Sequence, residues 1–468
     1  MIDSRVRFSR LPARFTLAVA FVVAFAGAAH ADLGITLGAP SDSITNVTWT
    51  LSNGTRVLAQ HIPFGHGISI SVGYPGGSDQ DPPGRGGLAA LLAELQFTAA
   101  AGELPDRTRL EMPSLRPFGA DVHVGKCFTI LSEVANRAQL PGVLHQVAIR
   151  MRGVQVTPQV LATALVTVRS RYAQQFQGPV DLMLFNELAE RGAGADEASL
   201  RRLATVSGLE KLTVEDVTRL LAKAFASQRA VIAIAGDLSG FDLRAALERE
   251  LAGVPGGPPG PLPAPRPLHP FGANVRRPNL ARPVGVLGII APALADSSYP
   301  AFFLASMVIG AQANAQWGEP VAPLSSRFQF SVLEDPELTR FYPPLTLKDR
   351  TAGSIAESFG TSVGGQDNLV VSDEIMASLR FGIGWLIGGP LTDAALRHMR
   401  TDGGSLILLS CSMVERELRG GEAFWRKFRA EVDHLGVPDL TYWLGYMRDP
   451  KLQMRLMVLP DERPPGAH

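Results

Sequence analysis

The side chains of this 468-residue chain that are able to do chemistry are widely scattered. Nine histidines are present, and no two stand at i, i+4, the spacing that puts two imidazoles on one helix face for a metal. His61 and His66 flank Pro63 and Gly65 in a loop, where isolated histidines are usually at the surface or satisfied internally. Cys127 and Cys411 exclude a disulfide scaffold and a cysteine-built zinc site, and sequence leaves their pairing open. Gly360-Thr361-Ser362-Val363-Gly364 matches the G-x-S-x-G pattern of a serine nucleophile. That elbow needs an apolar strand before it and a helix after it. Polar Glu357-Ser358 precedes and Gly365-Gln366-Asp367-Asn368 follows, so the segment reads as a loop. Gly84-x-Gly86-x-x-Ala89 fits a loose dinucleotide fingerprint, but Pro82-Pro83 occupies the place of the required strand. No Walker phosphate loop and no C-x-x-C pair occurs.

The elements that must position any site are set by composition and patterning. A chain 46% apolar and 19% charged can bury enough surface to offset the ordering entropy, which excludes disorder. Its 44 basic and 44 acidic side chains cancel, so no global field favours nucleic acid or an anionic membrane. Arg5, Arg7, Arg10 and Arg14 precede the apolar run Phe15 to Ala26, which leads to Ala29-His30-Ala31. A basic start, an apolar stretch of about 12 residues and an A-x-A site predict a secretory signal over 1–31. The run is shorter than the ~20 residues needed to span a bilayer. Cleavage after Ala31 removes four Arg and one Asp, leaving 40 basic and 43 acidic residues. No later run predicts a span, so the product is expected to be exported, periplasmic or secreted.

Proline and glycine concentrate over 253–283, which predicts an extended connector without helix or central strand. It separates an N-terminal domain over 45–252 from a C-terminal domain over 284–460. In the first, Asn53-Gly54 between Val47–Leu51 and Arg56–Ala59 predicts a hairpin, because both turn residues accept positive φ. Ile68–Tyr74 alternates apolar and small residues as a strand, and Gly87–Phe97 reads as a buried helix. Further helices are predicted over Pro141–Arg152, Gln159–Gln175, Pro179–Arg191 and Leu243–Leu251, with a strand over Arg229–Ala235. The second half predicts strands at Val284–Ala291 and Met454–Leu459 and a helix at Tyr299–Ile309. Strands and helices mix without strict βαβ alternation, which favours α+β. Each half runs early from an apolar strand into an apolar helix, as a duplication would.

Leu51-Ser52-Asn53-Gly54, Tyr74-Pro75-Gly76-Gly77-Ser78 and Pro82-Pro83-Gly84-Arg85-Gly86-Gly87-Leu88-Ala89, followed by Phe97, resemble the opening of the pitrilysin/insulinase metallopeptidases, the group that includes mitochondrial processing peptidase. Gly119-Ala120-Asp121-Val122-His123 and Ile232-Ala233-Ile234-Ala235-Gly236-Asp237 resemble later strands of that family. The resemblance implies two similar α+β domains, each a mainly antiparallel sheet packed with helices, closing like a clam around an extended peptide. It also implies an inverted zinc motif H-x-x-E-H on the helix after Gly87-Leu88-Ala89. Those positions hold Ala90, Ala93 and Glu94. The third ligand, an acid on a later helix in relatives, falls near Arg169-Ser170-Arg171, and no Asp or Glu occurs between Glu133 and Asp181. One carboxylate opposite two guanidinium groups does not supply the three ligands of a catalytic zinc. The expectation is instead an ion pair in the former metal pocket between Glu94 and Arg169 or Arg171, against the alternative that all three are solvated.

In the second half, relatives carry a segment that places an Arg and a Tyr toward substrate. Ser326-Arg327-Phe328 and Arg340-Phe341-Tyr342 resemble its two ends, so Arg327, Arg340 and Tyr342 are candidate substrate-binding residues, with a surface turn as the alternative. Ala311–Trp317 replaces the glycine loop that often precedes it. The leading functional reading is an exported, non-catalytic subunit that helps bind extended peptide and supports a catalytic metallopeptidase partner of the same family, zinc residing only in that partner. A stand-alone peptide-binding scaffold and an active peptidase with unconventional ligands are the alternatives.

Overall fold

The computed structural model describes residues 45–63, 67–107, 120–178, 180–277, 280, 283–317, 328–331, 335–341, 376 and 403–460. The predicted hairpin is β1 (Thr45–Thr50) and β2 (Arg56–His61), paired antiparallel. Asn53 ties its turn to the end of the domain, donating Nδ2 to the carbonyls of Leu251 and Val254 at 3.2 and 2.9 Å. The first half continues with β3 (Ile68–Pro75), α1 (Leu88–Thr98), β4 (Ala120–Val124), β5 (Phe128–Ala135), α2 (Leu140–Arg152), α3 (Pro158–Gln177) and α4 (Val180–Gly192). It ends with α5 (Glu197–Thr205), α6 (Val214–Ala224), β6 (Val231–Gly236) and α7 (Leu243–Leu251). Periodicity alone does not predict α5 and α6. Their caps start them: Asp196 accepts from the Ser199 N–H, and Thr213 and Asp216 form a capping box.

The second half comprises β7 (Phe271–Arg277), β8 (Val284–Ile290), α8 (Tyr299–Trp317), β9 (Phe328–Ser331), β10 (Asp335–Phe341), α9 (Gly403–Leu418), α10 (Gly421–His434), α11 (Val437–Arg448) and β11 (Gln453–Pro460). Two expectations are corrected. Phe271–Arg277, assigned to the connector, is a strand, because this proline-free stretch between Pro270 and Pro278 pairs parallel with β11 at the sheet edge. The helix predicted to stop at Ile309 runs on to Trp317, so the residues standing in the glycine-loop position are its last turns.

The first sheet has the order β1-β2-β6-β3-β5-β4 and the second β7-β11-β8-β10-β9. In the first, β2 and β6 are parallel and every other neighbouring pair is antiparallel. The second repeats this from its edge inward: β7 and β11 are parallel, and the rest antiparallel. Five strands thus recur in the same spatial order with the same directions, the arrangement a duplicated unit gives.

The strand β3 is buried on both faces. Ile68, Ile70, Val72 and Tyr74 point into a core with Leu91, Leu95 and Phe97 of α1. Its other face carries Ser69, Ser71, Gly73 and Pro75, and α9 from the second half lies on it: a Cβ at Gly73 would come within 2.0 Å of Val414 Cγ1. The small-residue alternation therefore marks a helix-bearing face. In the second half, the first turns of α8, Tyr299–Ile309, are apolar and packed with β8, α10 and α11, with Phe302 edge-on to Trp443 and Phe303 edge-on to Phe428. Gly73→Ala is expected to destabilise by about 1–3 kcal/mol through overpacking. Gly142→Ala, at a helical position with open space around it, should be neutral or stabilising by up to about 1 kcal/mol. Urea unfolding of both variants measures the difference.

Candidate functional site

The helix α1 is formed by an Ala/Leu-rich run that is apolar on every side, and it lies in the middle of the first half. Its start has no ordinary capping side chain. Gly87 there adopts φ +89, a left-handed conformation that favours glycine. Asp81, six residues upstream, does the capping: its carboxylate accepts from the N–H groups of Gly87 and Ala89 at 2.7 and 2.8 Å. Burial, opposed by those hydrogen bonds, pushes the Asp81 carboxyl up to about 7. Sequence reasoning misses Asp81 because the Gly-rich turn separates it from the helix it caps.

Ala90, Ala93 and Glu94 stand at i, i+3 and i+4 of α1, on one side of it, and are 2%, 0% and 2% exposed. The helix α3 packs across them. From it Arg171 brings Nη2 to 3.7 Å from Glu94 Oε2, an ion pair longer than a hydrogen bond. Arg169 does not join it. Its guanidinium faces the surface and pairs with Glu210 at 2.5 Å. A divalent cation does not fit this arrangement: the pocket offers two methyl groups and one carboxylate, and a fixed cation already faces that carboxylate. Among the described residues, no group of three His, Cys, Asp or Glu is arranged to hold a metal.

The other candidates are dispersed. The buried His61 accepts the Leu238 N–H at Nδ1, and His123 lies against the Phe128 ring. At the surface His145 bridges Glu250 and Glu103 at 2.8 and 3.1 Å, and those contacts raise its pKa. Cys127 and Cys411 are buried and unpaired with each other, and burial pushes both thiols up to about 12. His66, Arg327, Tyr342 and the segment Gly360–Gly364 lie outside the described residues.

Arg340, a candidate for touching substrate, is turned inward. It is 2% exposed, with Nη2 2.6 Å from Asp335 Oδ2 and its guanidinium stacked 3.9 Å from the centre of the Phe185 ring. Lys126, from the turn before β5 in the first half, reaches the other oxygen of Asp335 at 2.5 Å. A side chain so enclosed holds the halves together and does not present a cation to a peptide. Burial alone would raise the Asp335 carboxyl, but Arg340 and Lys126 outweigh it and hold it at about 2.

Two predictions follow from these pockets. Because Asp335 ionises below its ordinary value of 3.8, its stabilising contribution is complete above about pH 4 and disappears as the pH falls through about 2. Asp335→Asn should lower stability by about 3–5 kcal/mol at neutral pH, leaving two cations uncompensated, and flatten the acid limb of a urea-denaturation series. For the former zinc position, the triple variant Ala90→His, Ala93→Glu, Glu94→His should still hold far less than one zinc per chain. Adding Arg171→Glu should raise the content toward one, as elemental analysis would show.

Solved structures share this architecture. A protease from Helicobacter pylori is 14% identical and superposes with a TM-score of 0.67, covering 89% of this chain and 100% of its own. An inactive M16 peptidase domain from Pseudomonas fluorescens is 17% identical, with a TM-score of 0.63 and coverages of 89% and 98%. The first half of the periplasmic protease PqqL from Escherichia coli is 12% identical, with a TM-score of 0.63 and coverages of 89% and 92%. Against the whole of PqqL the chain covers 49% of that protein's length. No family sequence profile and no curated protein matches the chain. At these identities the likeness establishes architecture: the chain has the two-domain α+β fold of the M16 peptidases, the pitrilysin/insulinase group.

Proposed function

We propose that this chain is an exported, non-catalytic subunit of an M16-type zinc peptidase that helps bind extended peptide and supports a catalytic partner. The observation that carries the reading is the content of the motif helix: Ala90, Ala93 and a Glu94 facing Arg171, in an M16 fold. An imidazole pair, a general base and a third acid are all replaced, so three independent parts of the zinc chemistry are missing together.

Support for a partner comes from PqqL, of whose length this chain covers 49%, leaving room there for a second unit of similar size. The catalytic zinc belongs to that second unit. Peptide binding needs no metal: an extended segment adds to an open sheet edge through backbone hydrogen bonds. Among the described residues of the first sheet, β4 is such an edge, paired with β5 on one side. Export rests on the basic, apolar and A-x-A pattern over 1–31.

Purification of the tagged chain from the exported fraction of its native host tests this. The expected result is a chain beginning at Asp32 that co-purifies with a second M16 chain carrying an intact H-x-x-E-H, with peptide hydrolysis and zinc present only in the complex. Chelator-sensitive hydrolysis by the isolated chain, with stoichiometric zinc, overturns the reading. Recovery of the exported chain alone, binding peptide without hydrolysis, favours a stand-alone scaffold.

A further inference from the structure

The turn between β1 and β2 is fixed to two other parts of the chain. At its start the Ser52 N–H reaches both oxygens of Glu248 on α7, at 3.0 and 3.1 Å, and the Ser52 hydroxyl donates to one of them at 2.5 Å. Beside it stands Asn53-Gly54, the one Asn-Gly pair in the sequence. Asn53 Nδ2 donates to the carbonyls of Leu251 and Val254, at and just past the end of α7. Asn53 Oδ1 accepts the Thr55 N–H at 3.0 Å, and the Gly54 N–H donates to the Leu51 carbonyl at 2.8 Å. The connector lies over the pair. A Cβ added at Gly256 would come within 2.6 Å of Asn53 Cγ, and one added at Gly54 (φ +91) within 3.1 Å of Gly257 Cα.

In an Asn-Gly pair the glycine has no side chain to shield its backbone nitrogen, which leaves that nitrogen free to attack the neighbouring amide. Here the Gly54 nitrogen attacks Asn53 Cγ. The new N–Cγ bond forms as Cγ–Nδ2 breaks, and the proton of the attacking nitrogen leaves with Nδ2 as ammonia. Solvent water then opens the cyclic imide to aspartate or isoaspartate. A water is consumed, an ammonia is released, and nothing is oxidised or reduced. The folded chain opposes this attack at every atom involved. Cγ turns onto the Gly54 nitrogen only after Nδ2 leaves two carbonyls, Oδ1 leaves Thr55 and the Gly54 N–H leaves Leu51. The Gly256 backbone packed against the amide restricts that rotation further.

We propose that Asn53 is a deamidation site gated by the fold, closed while the β1–β2 turn is docked on α7 and the connector, and open in any chain that has lost this dock. The change runs one way. An ionised carboxylate accepts hydrogen bonds and does not donate them, so the product sets negative oxygens against the Leu251 and Val254 carbonyls, where N–H groups now fit. Isoaspartate also lengthens the backbone of a turn held on both sides, by Glu248 at Ser52 and by the connector at Gly54. A chain that opens here, or that has not yet folded, is therefore marked covalently and does not regain the dock. This inference stands whether or not the chain has a catalytic partner.

Incubation of the full chain at mildly alkaline pH, in native buffer and in urea above its unfolding transition, tests the gate. Peptide mapping by mass spectrometry counts aspartate and isoaspartate at this position, and a synthetic peptide spanning 49–58 in the same two solutions gives the ungated rates. The unfolded chain should match the peptide, and the folded chain should be slower than the peptide by about tenfold or more. A smaller difference in native buffer, or an intact Asn53 after incubation in urea, overturns the proposal. Gly256→Ala, which wedges the connector off the turn, should raise the rate in native buffer by about tenfold. An unchanged rate in that variant overturns the connector's part in the gate. Asn53→Asp carries the product directly. Its hydrogen exchange over 51–56 and 252–257 should rise by about tenfold while β3 and β5 stay protected. Exchange equal to that of the wild type overturns the one-way step.

Discussion

Each sheet has to be covered on two faces, and among the described residues each half folds its own helices onto one of them. In the first half, α1 and its neighbours take the face carrying Ile68, Ile70, Val72 and Tyr74. In the second, α8, α10 and α11 take the equivalent side. The remaining faces carry serine and glycine on β3 and Val286, Leu456 and Val458 on β8 and β11, and they are closed by α9 and α4 from the opposite half. The small residues of β3 let a helix approach closely, and the hydroxyls of Ser69 and Ser71 both meet Ser410 of that helix. Coverage, register and the attachment of the connector are therefore parts of one packing problem.

Buried charge follows the same plan. Asp335 is held between Arg340 of its own strand and Lys126 of the other half, with Phe185 of α4 covering the guanidinium. Such a network adds little net stability over apolar packing but penalises any arrangement that separates its members. The same logic describes the motif helix. Arg171 is a covalently tethered cation facing Glu94, whereas a bound divalent ion exchanges with solvent. Glu94 and Arg171 thus form a tie between two helices.

The fold class, the hairpin at Asn53-Gly54, the helix around Ala90 and the loss of its imidazoles are legible in the sequence because each is a local property. Turn chemistry, apolar periodicity and residue identity do not depend on partners. The pairing of Glu94 is only partly legible. Arg169 and Arg171 are equivalent as residue types, and the rotation of α3 sends one inward to 3.7 Å and the other out to Glu210. Arg340 shows the same limit: beside Tyr342 it looks substrate-facing, yet Asp335 and Phe185 enclose it. Phe271–Arg277 is hidden among prolines, and only the late strand β11 makes it an edge strand.

By itself the sequence determined which elements form, and that Ala90 and Ala93 carry no ligand atom in any conformation and no carboxylate lies between Glu133 and Asp181. Only the tertiary structure decided which half covers which sheet, which arginine meets Glu94 and why β3 is small on one face. Those answers depend on contacts between residues hundreds of positions apart, such as Ser69 with Ser410 and Lys126 with Asp335. Local pattern carries no information about such partners until packing brings them within a few ångströms.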